Sequence, residues 1–163
     1  MSWIEQAIAD FGQTLGIPRL TLDAHGRLEL DLDAGKTLHI HFNPQADEQA
    51  HYPGGQAAPP ELWIAVAQPM QVPTPAHNAT VLRSVLRLTD FRQAPPWPLQ
   101  AALQGESLLL AMRIPERECT VSAINQAREH LDLLLGQALE SAYASRSGAV
   151  PGPAGAHTWG RFP

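Results

Sequence analysis

Three short segments near the N-terminus alternate apolar and polar residues, and glycine-containing turns separate them. The segments are residues 19–23, 27–32 and 37–42, and the turns are His25-Gly26 and Ala34-Gly35. Alternation with a period of two predicts strands that bury one face and expose the other. Because short glycine turns join consecutive strands as antiparallel neighbours, the sequence predicts a three-stranded meander with one apolar face that needs a cover.

An amphipathic helix precedes this meander and is the nearest apolar surface that can cover it. Its apolar residues recur at spacings of three and four: Trp3, Ile4, Ala7, Ile8, Phe11 and Leu15. Ser2 and Glu5 have the spacing of a capping box, which predicts that the helix begins here. Gly16 and Pro18 predict its end.

The rest of the chain predicts further helices and strands in a fixed order. Residues 61–68 are a possible fourth strand, residues 78–91 a helix capped by Asn78 or Thr80, residues 99–103 and 107–114 a hairpin, and residues 120–144 a long helix capped by Thr120. The order indicates an α+β fold with mostly antiparallel pairing. We expect one domain over residues 1–144, with a Pro- and Gly-rich insert loop at 43–60. Residues 145–163 are expected to be a flexible tail, in which Trp159 and Phe162 dock on a partner, pack on their own domain or have no function.

Composition and charge exclude several classes of function. The 163 residues carry a net charge of −5, which argues against nucleic acid as a partner because phosphate binding needs a basic face. No stretch approaches the roughly 18 apolar residues of a membrane span. Cys119 is the single cysteine, so no disulfide forms within the chain, and the absence of a signal peptide completes the expectation of a cytoplasmic protein.

No motif for catalysis or metal binding is present in the sequence. His39 and His41 share one face of a predicted strand, but no third ligand has a matching spacing, so we expect no metal and no cofactor. Glu29, Asp31 and Asp33 alternate along an outer face and are interpreted as a solvated edge. The sequence favours a binding protein over an enzyme. A small-ligand carrier or an enzyme that uses the face near His39, His41 and Glu29 stays open as an alternative.

The N-terminal pattern resembles that of class I type III secretion chaperones. The resemblance rests on the first helix through Phe11, the Leu15-Gly16-Ile17 step, the Leu20-Thr21-Leu22-Asp23 turn with Gly26, and the strands at 28–32 and 38–42. It extends over residues 3–143. It implies an α-β-β-β-α-β-β-α order, with a twisted, mostly antiparallel sheet packed against helices in a homodimer. The insert at 43–60 and the tail after residue 145 depart from a compact member of this family.

The resemblance also implies a function and two surfaces. Members of the family bind the N-terminal segment of a secreted effector in the cytoplasm and keep it soluble and competent for export. By position, the expected partner-binding residues are Ile4, Ile8, Phe11, Leu20, Leu22, Leu30 and Ile40, although the same side chains are also candidates for the core. The expected dimer interface comprises Val81, Leu82, Val85, Leu86, Leu108 and Leu110. A regulatory adaptor is the other alternative that stays open.

Overall fold

The computed structural model describes residues 2–44, 60–70, 74–88 and 96–147, and these ranges contain three α-helices and five strands. In chain order they are α1 (Trp3–Thr14), β1 (Arg27–Asp31), β2 (Thr37–Asn43), β3 (Glu61–Pro69), α2 (Pro75–Leu88), β4 (Leu99–Gln104), β5 (Ser107–Pro115) and α3 (Val121–Ser147). This order confirms the predicted α-β-β-β-α-β-β-α layout.

The five strands form one open sheet in which every pairing is antiparallel, in the spatial order β1-β2-β3-β5-β4. One face of the sheet carries the core. Its fully buried side chains are Leu38, Ile40, Leu62, Ile64, Val66, Leu108, Leu110, Met112 and Ile114, and Ile8, Phe11, Ile124 and Leu131 from α1 and α3 join the same cluster. The other face, here called the outer face, carries His39, Trp63 and Leu109, which are only partly buried. The α+β prediction is therefore confirmed.

The signals that begin and end α1 act as the sequence predicts. The Ser2 hydroxyl accepts a hydrogen bond from the Glu5 N–H, and the Glu5 carboxylate accepts one from the Ser2 N–H at 2.7 Å. At the other end Gly16 takes φ +72°, which favours glycine, and the Ile17 N–H donates to the Gly12 carbonyl at 2.8 Å. Both predicted ends of this helix are confirmed.

The predicted strand at residues 19–23 is wrong. Arg19 has a φ of +65°, outside the strand region, and among the described residues the segment's backbone bonds to β1 only through the Asp23 N–H and the Arg27 carbonyl, 2.7 Å apart. The alternation of Leu20 and Leu22 reflects packing toward the core rather than pairing in the sheet. The sequence predicts β3 only as a possible fourth strand. In the structure it is the third strand of the sheet, between β2 and β5.

The second helix begins earlier than predicted. Its N-cap is Thr74, whose Oγ1 accepts a hydrogen bond from the His77 N–H at 3.2 Å, so the predicted caps at Asn78 and Thr80 are wrong. Pro75 at the first helical position is the sequence signal that we missed. Thr120 caps α3 as predicted, through the Ala123 N–H at 3.1 Å, and α3 continues three residues past the predicted end at 144.

Two predictions concern residues that are largely outside the described ranges. The insert loop at 43–60 is described only at its ends, and the tail only as far as Ser147. The insert loop, the tail and the boundary between the domain and the tail therefore stay predictions.

Candidate functional site

Two adjoining depressions share Thr21, Leu22 and Asp23 in their walls. The first, here called the α1 groove, lies between α1 and residues 19–23 and has a volume of about 790 Å³. The second, here called the β1 groove, is bounded by residues 21–23, β1 and β2 and has a volume of about 600 Å³. Residues 21–23 therefore contribute to two concave surfaces, although they form no part of the sheet.

The α1 groove has an apolar floor and a polar rim. Ile4 and Leu20, both buried, form part of its floor, and the partly buried Phe42 lies beside them. The Phe42 ring meets the Trp3 ring edge to face, with 5.6 Å between the centroids. Glu5 and Arg19 are exposed lining residues. Apolar surface edged by polar groups is typical of sites that bind apolar side chains of a partner.

The turn from Asp23 to Arg27 joins Asp23 to the start of β1, and among the described residues Thr21 and Leu22 make no backbone hydrogen bond to that strand. One carboxylate oxygen of Asp23 accepts hydrogen bonds from the Arg27 and His25 N–H groups, each at 2.8 Å. These bonds lower the pKa of the Asp23 carboxyl from its ordinary value, because they stabilise the charged form. The bond from the Arg27 N–H has the larger effect. Gly26 has φ +72°, and a Cβ there would lie 2.8 Å from the Phe42 carbonyl oxygen. Glycine at this turn therefore fixes the wall between the two grooves.

The structure separates the predicted partner-binding residues into two groups. Ile8 and Phe11 are fully buried in the core, and Leu30 lies on β1, partly buried and outside both grooves. The remaining four line a groove: Ile4 and Leu20 the α1 groove, Ile40 the β1 groove, and Leu22 both. Sequence reasoning missed Phe42, although it continues the apolar alternation of β2.

The predicted dimer-interface residues are divided in the same way. Val81, Leu108 and Leu110 are fully inaccessible and Val85 is nearly so, which places them inside the protomer. Leu82 is partly buried, whereas Leu86 on α2 is 73% exposed. Leu86 is therefore the apolar member of the set that α2 presents outward. Pairing of two copies through this helix stays a prediction.

The outer face holds a third depression of about 520 Å³, which contains two of the three residues of the small-ligand alternative, whereas the β1 groove contains Glu29 together with both histidines. Both His39 and His41 line it, as their shared face predicts, and Ala65, Leu109 and Ala111 form an apolar centre. At its edge the Trp63 indole N–H donates to Glu61 at 2.7 Å. Within the ranges that the structure covers, no three histidine, cysteine or carboxylate side chains are grouped to hold a metal ion.

Cys119 has the surroundings of an unreactive thiol. Its side chain is buried next to the core, and burial together with the negative charge of Glu116 raises its pKa to about 11. The thiolate, which is the nucleophilic form, is therefore scarce at neutral pH. In these surroundings Cys119 acts as a small apolar residue of the core cluster.

None of the helices in the described part of the chain combines the length and apolar character that a membrane crossing requires. No protein-family sequence model matches the chain, and the search of curated proteins finds no significant match.

Solved structures, by contrast, share the fold over most of their length. A chain in the HopA1–SchA chaperone–effector complex aligns with a TM-score of 0.56 at 15% identity, covering 83% of this chain and 92% of that one. A chain in the complex of the Yersinia pestis type III secretion chaperone SycH with a stable fragment of YscM2 gives 0.53 at 14% identity, with 82% and 98% covered. The heterodimeric ExoU–SpcU complex from the type III secretion system of Pseudomonas aeruginosa gives 0.52 at 16% identity, with 85% and 96% covered.

Proposed function

We propose that this chain, which has the fold of the class I type III secretion chaperones, acts as such a chaperone. It binds the N-terminal segment of a secreted effector in the cytoplasm and keeps that segment soluble and competent for export. The observation that carries the proposal is the pair of grooves on either side of residues 21–23, in a fold shared with chains from chaperone–effector complexes.

The shape of the grooves fits an extended chain better than a folded partner. Both are open to solvent and adjoin at residues 21–23, so one segment can place side chains in each. Ile4 and Leu20 offer apolar contact in one groove, and the partly buried Leu28 offers it in the other. A segment bound in this way buries its apolar residues without folding, so neither ATP nor bond chemistry is required.

Co-expression with the N-terminal region of an effector encoded by a neighbouring gene tests the proposal. We expect a stable complex of two copies of this chain with one effector, measured by light scattering after size-exclusion chromatography. Limited proteolysis of the complex should show protection confined to the effector's N-terminal region. A strictly monomeric protein that leaves this region open to protease would contradict the proposal. A metal or small ligand retained through purification would instead support the outer-face alternative.

We further propose that the chain pairs with a second copy through the outward side of α2. Replacing Leu86 with aspartate should convert the dimer to monomer, because a carboxylate would then be buried in an apolar interface. Sedimentation velocity measures the change in mass directly. Leu86 is 73% exposed in the protomer, so the substitution should leave the fold itself intact.

Leu133 on α3 provides the matched control for Leu86. It is also an exposed leucine on a helix, at 58%, but it lies outside the predicted interface. Leu133→Asp should sediment like the unmodified protein. If the unmodified protein, Leu86→Asp and Leu133→Asp all sediment alike, as monomers or as dimers, α2 does not form the interface.

A further inference from the structure

Arg19 has a backbone conformation that arginine rarely adopts. Its φ is +65°, and it follows Pro18 in the turn that leads from α1 to residues 20–23. In a turn with proline at the first central position, a positive φ at the second favours glycine or asparagine, because a larger side chain is strained there. The sequence therefore carries arginine at a position where glycine would make the folded chain more stable.

Packing against α1 holds this turn in place. Leu20 is buried and packs against Gly12, where a Cβ would lie 2.5 Å from the Cβ of Leu20. On the other side of the turn, the Ile17 N–H donates to the Gly12 carbonyl at 2.8 Å. Arg19 lies between these two anchored residues, is exposed and lines the α1 groove. The strained backbone thus places a guanidinium at the rim of the groove, and strain that packing maintains is typical of functional sites.

Among the described residues that line the α1 groove, Arg19 is the only basic one. The two carboxylates of the lining are already engaged. Glu5 accepts a hydrogen bond from the Ser2 N–H at 2.7 Å, and Asp23 accepts two from N–H groups of its own turn at 2.8 Å each. The Arg19 guanidinium, in contrast, forms no hydrogen bond or ion pair with any residue that the structure describes. The charge that this groove offers to a partner is therefore positive.

We propose, on the basis of the function proposed above, that the α1 groove selects effector segments in which an aspartate or glutamate lies close to an apolar residue, and that Arg19 binds the carboxylate. The apolar side chain packs against Ile4 and Leu20, while the planar guanidinium donates two parallel hydrogen bonds to the carboxylate. Because Arg19 is exposed and has no partner among the described residues, no ion pair with them has to be broken first. Arg19 is thus a specificity-determining residue of the groove.

The sign of this preference distinguishes Arg19 from the charge of the whole chain. A chain with a net charge of −5 repels an acidic segment at long range, so its overall charge predicts the opposite preference. Salt screens that repulsion beyond about 10 Å at an ionic strength of 0.1 M, whereas a hydrogen-bonded contact with Arg19 acts at short range. A preference for acidic segments at this ionic strength would therefore come from the groove.

Two labelled synthetic peptides test the selectivity of the α1 groove. Both have leucine at three positions, and beside each leucine one peptide has glutamate where the other has its uncharged isostere glutamine. We expect the glutamate peptide to bind the full chain about fivefold more tightly in fluorescence anisotropy. Arg19→Gln should abolish the difference. Arg19→Lys should keep its direction with a smaller factor, because an ammonium retains the charge without the planar pair of donors.

Arg117 provides the matched control for the loss of one positive charge. It is exposed and lines neither groove. Arg117→Gln should leave the preference for the glutamate peptide unchanged, and circular dichroism checks that each variant is folded.

Arg19→Gly separates a role in binding from a role in the fold. Glycine relieves the strain at a φ of +65°, so the melting temperature should rise while the preference for the glutamate peptide disappears. A lower melting temperature would show that the arginine side chain supports the turn, and would count against the inference.

Equal affinity of the two peptides for the unmodified chain, binding of neither, or a preference that survives in Arg19→Gln would overturn the inference. Each of these results is compatible with an effector complex in the co-expression experiment, because apolar contacts alone can hold that complex together. Failure of the complex counts against the proposed function itself.

Discussion

Replacing Phe11 with alanine will lower the free energy of unfolding by about 3–5 kcal/mol, the range observed when a buried phenylalanine is truncated in a core. Phe11 has no exposed surface and lies in the same core cluster as Ile8. The loss combines the transfer free energy of the ring with the cavity that it leaves. Equilibrium denaturation in urea measures the change, because the midpoint falls while the slope of the transition stays the same.

Leu22→Ala is the matched variant for Phe11→Ala, because Leu22 is an apolar side chain of the same predicted site but lies at the surface of both grooves. Its truncation removes partly exposed area only and should cost roughly 1 kcal/mol of stability. Effector binding should respond in the opposite order: Leu22→Ala weakens it, and Phe11→Ala retains it wherever that variant is still folded. A loss of only about 1 kcal/mol in Phe11→Ala would contradict the placement of Phe11 in the core.

The elements that the sequence predicts well are those whose ends depend on local chemistry. Ser2 and Glu5 satisfy each other's backbone groups across three residues, and Gly16 ends the same helix through its own positive φ. The hairpin of β4 and β5 depends on Gly105, which also has a positive φ. Such signals act within a few residues, so no knowledge of the rest of the fold is needed.

Residues 19–23 show where local reasoning fails. Leu20 and Leu22 alternate with polar residues as a strand would, but alternation reports only which side chains face the core. Among the described residues the segment's backbone bonds to β1 only at Asp23, and Thr21 and Leu22 make no backbone hydrogen bond to that strand. β3 takes the third place in the sheet, and its pairing with β5 joins residues far apart in sequence. Local patterns do not specify that register.

Four of the seven predicted partner-binding residues line a groove, and the sequence alone does not distinguish them from the other three. Ile8, Leu22 and Phe11 give the same apolar signal in the sequence, yet only Leu22 lies at the surface of a groove. The difference arises because Ile8 and Phe11 lie on the side of α1 that packs against the core, whereas Glu5, Ala9 and Gln13 on another side line the groove. The exposed fraction of an apolar side chain thus depends on which elements pack over it. An amphipathic pattern in the sequence does not distinguish a side chain in the core from one that lines a groove.

Gly12→Ala will destabilise the protein, although alanine is ordinarily favoured over glycine within a helix by about 1 kcal/mol. Gly12 lies in the last turn of α1, where a Cβ would be 2.5 Å from the Cβ of Leu20 and 2.6 Å from the Ile17 carbonyl oxygen. Neither atom is the end of a flexible side chain, so the segment that follows α1 must move. We expect a loss of about 1–3 kcal/mol, typical of overpacking, measured as a lower melting temperature.

The same substitution at Gly136 should change stability in the opposite direction, which shows that close packing around Gly12 causes the loss there. Gly136 lies within α3, and a Cβ there would meet no other atom within 4 Å, so Gly136→Ala should raise stability by about 1 kcal/mol. Since Leu20 lines the α1 groove, Gly12→Ala should also weaken effector binding, whereas Gly136→Ala should leave it unchanged. If both substitutions stabilised the protein, Ile17 and Leu20 would not pack against α1. Residues 21–23, which line both grooves, would then lack the support of that packing.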